Sequence, residues 1–506
     1  MDLFQAINNY TLTENGALTY KTSGSKVLDL FGRGGAYRNR SDEDIITLVT
    51  EAFEEDPLTT LEALFYLRDI RKGQGEKRVF RVGINALKEV LKARDAGLDN
   101  LFTAIVEFGS WKDIFDYFEF EEWAPFVRNY IGNPKVIPFT KPDLVFKYIP
   151  SVGGSKNDQA EKLAKMFDMT PKQYRKMLTF QRGQLKLVES QMCAKQWDKI
   201  DYSRVPSKAG LLYKEAFKKH DAERYREFIK KVNEGDESVK LNAGTLLPYE
   251  ITEQYMQKED FTECVPRRYW CDTKQKKASD IPLDDVLEAY WKSLPVYGKD
   301  TANALVVADT SGSMWGRPMA ISTSLGIYFA QHNTGLFHNK WVTFSHDPKF
   351  IELKEGGSLR DAIVTFFENE EVADTNLQGV FDMILTAARD YKLPESEMPK
   401  VIYVISDMEF NSAIDYNGFS ANNYEVIKQK YAICGYEAPA VVFWNVNSLS
   451  NQSPVKMNEA GVALVSGCSP TTFGLAISGE LDPMKFMHAT LDADRYRVPA
   501  RAVLNV

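Results

Sequence analysis

Three uninterrupted apolar runs constrain this chain more than anything else in it: Ala304-Leu305-Val306-Val307-Ala308, Val401-Ile402-Tyr403-Val404-Ile405 and Ala440-Val441-Val442-Phe443-Trp444. A strand with one face in water alternates apolar and polar residues. A run without alternation therefore reads as a strand covered on both faces, which is the situation of a parallel sheet. Helical segments from Pro318 to Gln331 and from Leu377 to Tyr391 stand between the runs, and this strand-helix alternation predicts a doubly wound α/β domain. Lys340 to Phe344 and Lys349 to Leu353, separated by His346-Asp347-Pro348, add a hairpin at one edge, and Trp341, Phe344 and Trp444 read as core. The pattern changes near Leu294-Pro295, and 506 residues exceed what one hydrophobic core supports. Two domains are expected, 1–298 and 299–506.

The first of these reads as helical. Ser41 before Asp42-Glu43-Asp44 and Asp56 before Pro57 are helix starts, with a capping side chain and either acids or proline in the first turn. Lys72-Gly73-Gln74-Gly75 breaks the pattern, which resumes at Glu76 with Phe80, Ile84, Leu87 and Val90 at helical spacing. A further helix carries Tyr174, Leu178, Leu185, Val188 and Met192 on its apolar stripe, and Lys172, Arg175, Lys176, Arg182 and Lys186 off it. The next basic helix holds Lys214, Lys218, Lys219, Arg224, Arg226, Lys230 and Lys231. Helix after helix with no strand signal predicts an α-solenoid.

Charge divides unevenly along the chain. From Lys141 to Lys231 there are 21 Lys and Arg against 11 Asp and Glu, a local excess of +10 in a chain whose total is -8. Like charges so concentrated repel unless they meet an anion, and RNA is the expected one. Lys172, Arg175, Lys176, Arg182, Lys186, Lys218, Lys219 and Arg224 are the candidate phosphate contacts, with Tyr174 or Tyr225 as candidate stacking residues.

Polar residues cluster where the predicted strands end. Asp309-Thr310-Ser311-Gly312-Ser313 follows the first run directly, Ser406-Asp407-Met408-Glu409 follows the second, and Ala373-Asp374-Thr375-Asn376 precedes a helix. Ligands of open α/β sheets sit beyond the carboxyl ends of the strands. Hydroxyl, carboxylate and water oxygens at an octahedral site suit magnesium or manganese. The three loops together resemble the metal-ion-dependent adhesion site of von Willebrand factor A domains. The resemblance implies that Ser311, Ser313 and Thr375 bind the ion directly, that Asp309 and Asp407 act mainly through water, and that an acidic group of a partner protein fills the open position.

Two stretches of the helical half, Leu64 to Arg78 (LFYLRDIRKGQGEKR) and Phe108 to Ile114 (FGSWKDI), resemble the TROVE module of Ro ribonucleoproteins. That resemblance implies a ring of HEAT-like repeats closed by a von Willebrand factor A domain, binding small structured RNAs and single-stranded RNA ends. Lys147-Tyr148-Ile149-Pro150-Ser151, Val205-Pro206-Ser207 and Val465-Ser466-Gly467 resemble, more closely, an uncharacterised family of phage, giant-virus and plant proteins with this layout. For Arg68, Arg71, Lys77 and Arg78, pairing with Asp69 and Glu76 competes with RNA contact.

Other classes are excluded on composition and motif. The start lacks a basic n-region and an apolar h-region, and no run of eighteen apolar residues occurs, so a cytoplasmic protein without a membrane span is expected. Five cysteines show no disulfide framework, and His332, His338, His346 and His488 have no ligand spacing. A haloacid-dehalogenase nucleophile would want a second aspartate where Ser311 stands, and no G-x-S-x-G, H-E-x-x-H or P-loop appears. The expected function is a non-catalytic RNA-binding scaffold of Ro type. The alternative is a metal-dependent protein-interaction or assembly factor without nucleic acid.

Overall fold

Local capping chemistry sets the helices of the first half. In the computed structural model, which describes residues 8–94, 97–132, 143–256, 282–297, 303–344, 348–369, 376–411, 413–414, 420–421, 423–473 and 481–506, Ser41 accepts from the amide of Asp44 and Asp56 accepts from those of Leu58 and Thr59. Each satisfies amides that the first helical turn leaves without partners. After α1 (Lys26–Gly34), the caps open α2 (Asp42–Glu55) and α3 (Pro57–Arg68), which are followed by α4 (Arg78–Lys92), α5 (Gly97–Phe108), α6 (Trp111–Phe115) and α7 (Phe120–Ile131). Phe80, Ile84 and Leu87 are buried as their spacing predicts, whereas Val90 is 49% exposed. Beyond these lie α8 (Val145–Tyr148), α9 (Asn157–Met166), α10 (Pro171–Gln184), α11 (Val188–Cys193), α12 (Ser207–His220), α13 (Ala222–Glu234), α14 (Pro248–Met256) and α15 (Asp285–Lys292). The helix expected through Met192 is thus two helices. Gly183 weakens its last turn, and Lys186 takes a left-handed φ of 47° that a helix cannot contain.

The sheet follows: β3 (Ala304–Asp309), β4 (Lys340–Phe344), β5 (Phe350–Glu352), β6 (Val401–Ser406), β7 (Ala440–Asn445) and β8 (Val462–Ser466), preceded far upstream by β1 (Tyr10–Leu12) and β2 (Leu18–Tyr20). Its order is β8-β7-β6-β3-β4-β5, with every pairing parallel except β4 with β5. All residues of β3 and β6 are buried, as the absence of alternation predicts, and Trp341, Phe344 and Trp444 lie in the core. From β3 the chain builds outward through β4 and β5, returns, and builds the other way through β6, β7 and β8. The winding direction therefore reverses between β3 and β6, so their carboxyl ends, Asp309 and Ser406, border one crevice. Helices α16 (Arg317–His332), α17 (Leu359–Glu368), α18 (Leu377–Tyr391), α19 (Asn423–Ile433), α20 (Pro483–Leu491) and α21 (Asp494–Leu504) complete the chain. No helix among the described residues is long and apolar enough to cross a membrane.

Both ends of the chain cross to the opposite half. The hairpin of β1 and β2 bonds to the stretch after β7 through Tyr20 N to Ser453 O (3.2 Å) and Ser453 N to Tyr20 O (2.8 Å). Helix α1 packs on β8, and the approach is so close that a Cβ at Gly35 would stand 2.5 Å from Ser466 O. In the other direction α21 packs on α3 and α5. Arg495 Nε donates to Asp69 Oδ2 (2.5 Å) and Arg497 Nε to Glu62 Oε1 (3.2 Å), two carboxylates buried in the helical half. The far end of the helical path also returns to the sheet half. Helix α14 packs on α16, and Glu288 of α15 accepts from the amides of Leu359 (2.8 Å) and Arg360 (3.0 Å) at the start of α17.

The arginines of the Lys72–Gly75 region serve this architecture, with partners other than the neighbours expected for them. Arg68, 2% exposed, donates to Asp113 Oδ2 from Nε (2.9 Å) and Nη2 (2.6 Å), joining the stretches 64–78 and 108–114 by a buried ion pair. Asp113 also receives Arg81 and closes a capping box with Ser110. Arg78 pairs with Asp42 through its side chain and donates only its amide to Glu76 (2.9 Å), whose ion pair is with Arg38.

Candidate functional site

Asp309 ends β3, and its carboxylate is fixed from two sides: the amide of Ser311 donates to Oδ1 (2.8 Å) and the hydroxyl of Ser406 to Oδ2 (2.5 Å). The Ser311 and Ser313 hydroxyls lie 3.1 Å apart, and Ser313 stands near enough to Asp407 to favour its charged form. Asp407 follows β6, with Oδ1 accepting from the amide of Glu409 (3.2 Å) and Oδ2 buried with no partner. Asp309, Ser311, Ser313 and Asp407 thus come together at the crevice where the strand order reverses. Thr375 lies outside the described residues; the described chain resumes at Asn376, which caps α18 by accepting from the amide of Gly379 (2.9 Å).

Burial and the adjacent Asp309 carboxylate push Asp407 up to about 7, and burial raises Asp309 as well. Two carboxylates forced together in a site this dry favour a shared proton or a cation between them. The orphaned Oδ2 and the flanking hydroxyls are hard oxygen donors with few negative charges, which fits a small divalent ion that keeps waters. Among the described residues no three His, Cys, Asp or Glu side chains gather as a metal cluster, so a site here would depend on hydroxyl donors. Trp315, 58% exposed, stands two residues beyond Ser313.

The basic candidates separate into two groups. Arg182 is built into the fold: Nε donates to Phe146 O (2.7 Å), Nη1 to Ser151 Oγ (2.8 Å) and Nη2 to Ile149 O (3.1 Å). Arg224 holds the carbonyls of Trp197 and Ile200 and pairs with Asp221, while Lys218 pairs with Glu215 and Asp284. Lys172, Arg175, Lys176, Lys186 and Lys219 are exposed, and none makes an ion pair among the described residues. Tyr174 and Tyr225 are buried, the former donating to Pro150 O, so neither presents a ring to a base. Phe180 does. It is 62% exposed and follows Lys172 and Lys176 at intervals of four residues, which places all three along one side of α10.

Sequence reasoning missed Ser406, Glu409 and Phe180. Ser406 and Glu409 flank Asp407 and were legible as polar residues after a buried strand. Phe180 was legible as an apolar residue off the buried stripe.

Of the free cysteines described, Cys193 and Cys434 are exposed and Cys468 is buried; Cys264 and Cys271 lie outside the described residues. His332 packs on Tyr328, and His338 and His488 face Glu355 and Asp492.

The chain matches a family described as a domain of unknown function (DUF2828) over residues 13–117 and 123–296, which is more than half its length. Residues 303–486 match a second domain of unknown function (DUF7788). The chain is also similar to Uncharacterized protein L728 of Acanthamoeba polyphaga mimivirus, 28% identical over 535 residues that cover 96% of this chain and 87% of that protein.

Proposed function

Since the chain belongs to the DUF2828 family of unknown function, we propose from its own residues that it is a non-catalytic RNA-binding scaffold of Ro type. In this reading a HEAT-like helical path over 1–298 is closed into a ring by a von Willebrand factor A-type domain over 299–506. Asp309, Ser311, Ser313, Thr375 and Asp407 hold magnesium or manganese there, and an acidic group of a partner protein completes the coordination. Closure is supported by the two ends of the helical path, α1 on β8 and α14 on α16.

The RNA reading is carried by the outward side of α10. Lys172, Arg175 and Lys176 have no counter-ion among the described residues, and Phe180 lies beside them with its ring in water. Phosphates would neutralise the cations, and a base would stack on the ring, which is worth about 1–3 kcal/mol. Changing Lys172, Arg175 and Lys176 to glutamate weakens binding about equally for unrelated RNA sequences, because phosphate contacts do not specify sequence. The slope of log affinity against log salt flattens by roughly 0.7 per lost contact, about 2 in all, for a single strand. Unchanged affinity and slope in the folded variant refute the reading.

The alternative, an assembly factor without nucleic acid, has its own observation in the exposed Trp315 beside the oxygen cluster. Partner binding abolished by EDTA and indifferent between roughly 50 and 200 mM salt favours it, since steep salt loss is the mark of phosphate contact.

A further inference from the structure

The loop that carries Asp407 is held from the far end of the chain. Glu409, 1% exposed, accepts at Oε2 from the amide of Glu14 (2.7 Å) and at Oε1 from the Ser450 hydroxyl (2.6 Å). Its carbonyl accepts from Asn15 Nδ2 (2.6 Å), the carbonyl of Phe410 accepts from Thr13 Oγ1 (2.7 Å), and Gly16 bridges Asn411. The tip of the β1–β2 hairpin therefore supplies donors to Glu409 and Phe410 and a backbone bridge to Asn411. Between Asp407 and Glu409 stands Met408, held at φ 68° in the left-handed region that a non-glycine residue adopts at a cost. Its carbonyl accepts from Gln452 Nε2 (3.0 Å). The backbone at Asp407 thus has a strained neighbour, and the hairpin fastens the residues beyond it.

We infer that the N-terminal hairpin is a positioning element for Asp407, so that a divalent cation at the cluster and docking of residues 10–20 on the loop stabilise each other. The inference rests on the proposed cation site. If the loop relaxes when the hairpin lets go, the amide of Glu409 no longer orients Asp407 Oδ1, and the buried Glu409 carboxylate loses the Glu14 donor that offsets its charge. A cation bound by Asp407 favours the arrangement the hairpin completes. Linkage then requires the hairpin to be held more tightly by the same factor when the cation is present. Residues behind the ligands of a metal site commonly contribute about 10–100-fold to affinity.

The test uses the full chain and manganese alone. Thr13→Val with Asn15→Ala removes two hairpin donors to the loop, and Thr19→Val, whose hydroxyl bonds Ser453 O away from the loop, is the control. By calorimetry the double variant is expected to bind manganese at least about tenfold more weakly, with the control unchanged. In the wild-type protein, manganese is expected to slow amide exchange in residues 10–20. This second measurement stands even where the double variant fails to fold. Wild-type protein that binds manganese, with the double variant within twofold and exchange in the hairpin unaltered, overturns the inference alone. Wild-type protein that binds no manganese overturns the cation site and the inference together.

Discussion

Replacing Asp113 by alanine strands Arg68. The guanidinium is 2% exposed and its Nε and Nη2 both donate to that carboxylate, so the variant leaves a buried charge with no counter-ion from this pair. Removing one member of a buried pair costs about 3–5 kcal/mol, because the survivor keeps its desolvation penalty. The same carboxylate closes the capping box at the start of α6, a contribution of about 1 kcal/mol that overlaps the first. Asp116, paired with Lys156 on a surface where the side chains are 44% and 36% exposed, provides the internal comparison. Its loss costs about 0–1 kcal/mol. For a cooperative unit of 150–250 residues, the Asp113→Ala penalty lowers the melting temperature by roughly 6–20 °C, read by far-UV circular dichroism. Arg68→Met combined with Asp113→Leu is expected to recover part of this, since the buried Arg68 charge is gone and only the partly exposed Arg81 is left without its carboxylate. If Asp113→Ala costs no more than Asp116→Ala, the stretches 64–78 and 108–114 are not joined by this pair.

Other outcomes follow from single contacts. Arg182→Ala lowers thermal stability without altering the salt dependence of the proposed RNA binding, because the guanidinium is spent on three groups of its own chain; a changed slope would return it to the proposed binding face. Gly35→Ala forces a methyl to 2.5 Å from Ser466 O and is expected to cost about 1–3 kcal/mol in chemical denaturation, with a neutral result refuting the close contact. Burial holds the His332 imidazole below its ordinary value. Below about pH 6.5 the unfolded chain therefore binds a proton that the folded chain refuses, and stability falls with pH. His332→Gln flattens that slope between pH 7.5 and 5.5 in thermal melts, and parallel slopes refute the assignment. Proteolysis between Lys274 and Lys299 leaves fragments that elute as one species in gel filtration, because α1 lies on β8 and α21 on α3. Separate elution contradicts the crossed packing.

What could be read in advance was local. The runs that became β3 and β6 carry burial in every residue and that of β7 in all but Ala440, and Ser41, Asp56 and their following acids or proline carry the helix starts in four or five positions. The strand β8 is a five-residue segment, Val462-Ala463-Leu464-Val465-Ser466, among loops with no helix directly before it. Nothing nearby distinguishes it from a short buried turn. The partners of Arg182 lie about 30 residues upstream and the hairpin partner of Glu409 almost 400 residues away. A charged side chain on an exposed helix face and one that clasps carbonyls look alike until the chain is folded. For the same reason Tyr174 looked available and Phe180 was passed over. Of the oxygen cluster, Asp309, Ser311, Ser313 and Asp407 were recognisable from their place after buried strands, whereas the hairpin that holds the third loop gives no sign in its own sequence of where it docks.

The crossing of the two termini has a consequence for biosynthesis. Glu62 and Asp69 are translated early, and their arginine partners sit on the last helix, more than 400 residues later. While the ribosome works through the sheet half, α3 waits with two acidic side chains that cannot be buried without their cations. Helix α1 waits as well, because the strand it covers, β8, is made more than 400 residues later. The helical half of the nascent polypeptide is therefore expected to stay locally open, and accessible to a chaperone, until Arg495 and Arg497 have left the exit tunnel.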